Sequence, residues 1–175
     1  MRKSFLTVIY IICFILLIYF LQLYVINPRE LFGIKPNLIL ILVIVISLWY
    51  GLYAGGISSF LIGIFTDIIF GSNIGIFTIS YTIVGILIGI VNYNYRKESK
   101  MSLVYVTIMA TFIFELIQYL LYMIIYKIDS NFMYLIKQSV ISSLLNIVIV
   151  YIVYSLIYKI SEYIEDKVIQ SRRGF

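Results

Sequence analysis

A chain of 175 residues that is 63% hydrophobic and only 12% charged lies far from the roughly 45–50% apolar and about 25% charged composition of soluble domains, and a water-soluble fold is excluded. Its apolar residues run continuously and leave no polar helix face, so lipid is the solvent the sequence is built for. The net charge of +5 is accounted for by cytoplasmic loop bias and anionic headgroups and does not argue for nucleic acid.

A membrane helix needs about 20 predominantly apolar residues at about 1.5 Å each, and six candidates follow in chain order. The first spans 5–26. Its start, Met1-Arg2-Lys3-Ser4, has the charge of a signal peptide, but the apolar stretch is too long and no small-x-small site follows, so it is read as a retained anchor. Cys13, the single cysteine, lies inside it as a small hydrophobe. With no histidine in the chain, a Cys/His metal site and an intrachain disulfide are both excluded.

Asn27-Pro28-Arg29-Glu30 closes the first segment. The second, 36–51, is entered at Pro36 in the usual first-turn position of proline and ends at Gly51. The third, 54–70, and the fourth, 76–92, are short, and one of the three middle segments is open to a re-entrant reading. The fifth spans 102–126 and the sixth 137–159.

With six spans and the N-terminus inside, Arg2, Lys3, Arg96, Lys97, Lys100, Lys159, Lys167, Arg172 and Arg173 fall on the inner side. Arg29, Lys35, Lys127 and Lys137 fall outside. Nine cations against four follow the positive-inside rule. The expected fold is therefore an all-α, polytopic six-transmembrane-helix bundle, residues 1–159, with both termini cytoplasmic. Residues 160–175 form a short amphipathic tail with Ile160, Tyr163, Ile164 and Val168 at helical spacing. That tail is a solvated helix end, or it docks a cytoplasmic partner or the headgroups. Tyrosines near predicted ends, such as Tyr24, Tyr50, Tyr93 and Tyr126, suit interfacial anchoring.

A small or polar residue recurs at every fourth position: Gly51, Gly55, Ser59, Gly63, Asp67, Gly71 and Gly75. Gly85 and Gly89 repeat the spacing on the fourth helix. A four-residue step drifts about 40° per repeat, so the stripe winds slowly around its helix and suits a steep, close crossing. In lipid such residues let backbones approach, either within one bundle or in a groove for a partner. Asp67 is an acid in an otherwise apolar run, placed to fix the Gly-rich turn after it or to bind an ion or ligand.

Glu115 lies about 16 Å from the outer end of the fifth helix, with Gln118 on the same face. An antiparallel sixth helix brings Asn146 to similar depth. A polar contact of Glu115, Gln118 and Asn146 is expected, with Ser139, Ser142 and Ser143 as small neighbours, acting as structural glue or as a proton relay. No nucleophile motif, phosphate-binding glycine loop or close carboxylate pair is present in the sequence, so neither catalytic residues nor a cofactor is expected.

Pro36-Asn37 leading into an apolar helix, then Gly55-Gly56, then Gly63-Ile64-Phe65-Thr66-Asp67 with Gly71 and Gly75, resembles the central signature of the rod shape-determining MreD family. Asn37 stands where that family also commonly has an acid. The resemblance implies a non-catalytic scaffold in the bacterial inner membrane. Its implied partners are a bitopic MreC-like protein, the actin-like MreB and the synthases of lateral peptidoglycan. The mechanism expected is a helix-packing scaffold in which one face of the bundle, including the stripe from Gly55 to Gly63, receives the partner's single helix. The alternative is the substrate-binding subunit of an energy-coupling-factor vitamin transporter; such subunits commonly dock through an Ala-x-x-x-Ala-like motif on helix one, and residues 5–26 contain no Ala or Gly.

Overall fold

Of the two prolines, Pro28 follows the first apolar segment and Pro36 stands at the entry to the second, so no segment loses an interior backbone donor to proline. Ile- and Val-rich segments that favour strands in water become helices here, because in lipid each backbone N–H and C=O must be satisfied within its own segment. The computed structural model describes residues 13, 15–28, 33–70, 75–92, 100–127 and 132–173, with side chains through residue 152 except that of Lys100. Gly71, the start of the first helix and the side chains of the tail 160–175 lie outside the described residues.

The elements are α1 (Ile15–Ile26), α2 (Leu38–Phe70), α3 (Ile76–Val91), α4 (Lys100–Tyr126) and α5 (Phe132–Arg173). The last turn of α1, Gln22–Ile26, is wound as a π-helix. By length and composition, Leu38–Phe70, Met101–Tyr126 and Phe132–Ile152 are each able to cross a membrane, and Ile15–Ile26 and Ile76–Val91 are shorter apolar helices.

α2 is a folded pair of arms. Gly51 has φ 79° and ψ −167°, a region open essentially to glycine alone. A Cβ placed on Gly55 would lie 2.9 Å from the Ser47 Cα, whereas eight residues of straight helix separate atoms by about 12 Å. The chain therefore reverses at Gly51 into a first arm, residues 38–50, and a second, 52–70, about 20 and 28 Å long.

The first arm is the core of the bundle. Leu40, Ile41, Val43, Ile44 and Leu48 are all at most 2% exposed, and such close spacing of buried positions means burial on every side. Its start differs from the sequence expectation: Asn37 is the N-cap, accepting the Leu40 N–H on Oδ1 at 2.9 Å, so Pro36 precedes the helix. α5 likewise begins before residue 137, at Phe132, and stays helical through Arg173.

Directions follow from paired contacts. Asn37 meets Tyr81 and Leu48 meets Asn92, each 44 residues apart, so the first arm and α3 run parallel. Gly63 faces Thr78 and Gly89 faces Leu52, so the second arm and α3 run antiparallel. Glu115 meets Gln138 and Thr111 meets Asn146, which makes α4 and α5 antiparallel too. The rings of Tyr81 and Phe114, 4.8 Å apart, tie α3 to α4.

Candidate functional site

The small-residue stripe is filled from within the chain. Gly55, Ser59, Gly63 and Asp67 are buried on the second arm, and Gly85 and Gly89 are buried on α3. A Cβ on Gly63 would meet the Thr78 Cα at 2.5 Å, and one on Gly89 would meet the Leu52 Cα at 2.6 Å. Gly85 sits against Ser59 and the Gly55 carbonyl. The Ser59 hydroxyl donates to that same carbonyl at 2.5 Å, which satisfies it inside its own helix. In this fold the stripe is no open groove, because α3 occupies it. Gly75, at φ 114°, precedes α3 where the chain enters the helix.

Asp67 is 1% exposed and its carboxylate faces the start of α3. Oδ1 accepts the Phe77 N–H at 2.9 Å, and Oδ2 accepts the N–H groups of Gly75 and Thr78, each at 2.9 Å, and the Thr78 hydroxyl at 2.5 Å. The first turn of a helix has donors without intrahelical partners and a partial positive charge. A buried anion there is matched by those donors.

A second polar knot surrounds the start of α2. Asn37 N–H donates to Asn146 Oδ1 at 2.9 Å, and Asn146 Nδ2 donates to Thr111 Oγ1 at 3.2 Å. Leu38 N–H donates to Gln22 Oε1 at 2.8 Å, and Gln22 Nε2 donates to the Pro36 carbonyl at 3.2 Å and to Asn27 Oδ1 at 3.0 Å. The Asn37 amide pairs with the Tyr81 hydroxyl at 3.0 Å. Asn146 lies about 20 Å along α5 from its start, so the chain at residues 33–37 dips deep into the bundle before helix resumes. Irregular backbone at such depth is tolerated where protein groups satisfy it, and the Gln22 and Asn146 side chains do so for the backbone of Pro36, Asn37 and Leu38.

The expected contact of Glu115, Gln118 and Asn146 is rearranged. Glu115 Oε2 accepts Gln138 Nε2 at 2.7 Å, and Ser142 is a further hydrogen-bond partner. Asn146 pairs with Thr111, one turn deeper, because the antiparallel register sets residue 138 beside 115 and 146 beside 111. Gln118 Nε2 is buried without a hydrogen-bond partner among the described residues, as are the hydroxyls of Ser139 and Ser47.

Above this floor opens a cavity of about 480 Å³, bounded by the end of α1, the 33–37 segment, both arms of α2, α3, α4 and α5. Gln22, Tyr81 and Gln138 belong to the site although the sequence expectation omits them. Gln22 had a visible signal, as the only amide in an otherwise apolar first helix. Tyr81 and Gln138 had none, since their roles depend on register between helices.

No curated protein and no solved structure matches the chain. The family model for the rod shape-determining protein MreD matches residues 1–163, nearly the whole bundle, including both arms of α2, the stripe and the polar floor. The chain belongs to the rod shape-determining protein MreD family.

Proposed function

We propose that this chain is a non-catalytic scaffold of the cell-elongation machinery in the bacterial inner membrane. It crosses the bilayer six times with both termini cytoplasmic and holds an MreC-like bitopic protein beside MreB and the peptidoglycan synthases. The match of the family model over residues 1–163 carries the proposal. The reversal at Gly51 supports six crossings, since it converts one long apolar helix into two antiparallel arms.

Because α3 covers the stripe, the partner's helix meets a lipid-facing side of the bundle and leaves the Gly55–Gly63 seam intact. The seam acts on assembly indirectly, by holding α2 and α3 in one rigid unit. Depletion of the protein in a rod-shaped host, followed by cell imaging, tests the function. Rounding that is rescued by the intact chain, together with co-purification of the MreC-like protein, is the expected result. Normal rods after depletion refute it.

A further inference from the structure

The cavity above the polar floor has the size of a small-molecule site, about 480 Å³, and such sites combine apolar walls with a few convergent polar groups. Its walls include Phe70, Phe77 and Phe114, and its polar groups include Lys35, Glu115, Gln118 and Gln138. An adjoining cavity of about 270 Å³ is lined by Glu115, Gln118 and Gln138 together with Tyr134 and three further residues of α4 and α5. Glu115 bonds Gln138 and has Ser142 as a further partner, which leaves acceptor capacity on its two carboxyl oxygens. Gln118, one turn along the same face of α4, carries the buried amide nitrogen that has no partner among the described residues.

We propose that this cavity binds a polyhydroxylated group, either a free sugar or the glycerol headgroup of a lipid. A hydroxyl accepts from the Gln118 amide and donates to a Glu115 oxygen at once. A quaternary ammonium accepts nothing from Gln118. The phenylalanine rings supply flat apolar faces for the C–H side of a polyol. The adjoining space gives room for a second hydroxyl-bearing unit.

The test uses the full chain in phosphatidylcholine nanodiscs, with melting temperature read against concentration. Glucose and N-acetylglucosamine are the soluble probes, phosphatidylglycerol is the lipid-borne probe, and tetramethylammonium is the cationic control. A saturable rise with the sugars identifies a soluble ligand, and a rise confined to phosphatidylglycerol identifies a lipid. Either affinity falls at least tenfold in Glu115→Gln and in Gln118→Leu. Gln118→Leu removes an amide nitrogen that makes no hydrogen bond among the described residues, so it decides the outcome if Glu115→Gln does not fold. The proposal is overturned if no polyol binds saturably, if tetramethylammonium alone binds, or if the folded variants keep wild-type affinity.

Discussion

Alanine at position 63 isolates the cost of separating α2 from α3. The new Cβ would stand 2.5 Å from the Thr78 Cα, 3.1 Å from its N and 3.2 Å from the Phe77 carbonyl oxygen, whereas ordinary contacts begin at 3.4 Å. All three neighbours are backbone atoms, so no rotamer change relieves them and α3 must retreat by about 1 Å. The retreat also stretches the hydrogen bonds from Thr78 to Asp67. Overpacking of this kind costs about 1–3 kcal/mol, against the gain of up to about 1 kcal/mol that alanine brings over glycine inside a helix. A chain of this size loses about 2–4 °C per kcal/mol, so Gly63→Ala should melt several degrees below wild type. The control is Gly56→Ala, whose Cβ meets only the flexible Ile86 side chain, nearest at 3.2 Å; it should melt near wild type or slightly above. Circular dichroism in detergent is the suitable readout, because Cys13 is already exposed and a thiol-reactive dye would label the folded state. Equal melting of the two variants would refute the close α2–α3 seam.

Asp67→Asn keeps the shape but turns an amide NH2 toward donors, leaving at least one N–H at the start of α3 without an acceptor, at about 1–3 kcal/mol for each orphan. Faster amide hydrogen exchange at residues 75–78 with a lower Tm is expected, and unchanged exchange would mean the carboxylate does not hold that turn. Asn146→Leu removes the acceptor of the Asn37 N–H and should cost about 1–3 kcal/mol. Thr111→Val removes the 3.2 Å bond from Asn146 and the Thr111 hydroxyl's own bond to the Thr107 carbonyl; it should cost less, because that carbonyl keeps its intrahelical N–H partner, and the reverse order would contradict the assigned network. For orientation, in a Cys13→Ser background, Lys127→Cys should react with a membrane-impermeant maleimide in intact cells, and Met101→Cys only after permeabilisation. Labelling of Met101→Cys in intact cells would invert the topology.

Much of this architecture was legible because lipid simplifies the code: apolar run length and the position of charge, Pro and Gly give most helix ends. Gly51 ended a segment in the sequence and reverses the chain in the structure. What the sequence could not show is that the first arm is enclosed on all sides, since a lipid-facing Ile and a core Ile look alike in composition. The pairing of Glu115 with Gln138 in place of Asn146 was hidden for a different reason. Depth along two helices can be counted, but the axial offset between them depends on a connection whose length alone does not set it.

The seam and the cavity are linked through α3. Thr78, pressed against Gly63, lies one turn before Tyr81, whose hydroxyl caps the side chain of Asn37 and whose ring packs on Phe114. A helix moves as a stiff unit over one turn, because each residue is tied to the next turn by its backbone hydrogen bonds, so a retreat at Thr78 carries Tyr81 with it. The position of Tyr81, and with it the floor of the cavity, is therefore set by how closely Gly63 admits Thr78. Small residues at the seam thus do more than allow dense packing: they position a polar group three residues away. If so, Gly63→Ala should loosen the Asn37 contact as well as the helix pair, and faster exchange of the Asn37 and Leu40 amides would report it. Both amides are tied to this knot, the first through Asn146 and the second through the Asn37 side chain, so protection that stays at wild-type level in Gly63→Ala would uncouple the seam from the site.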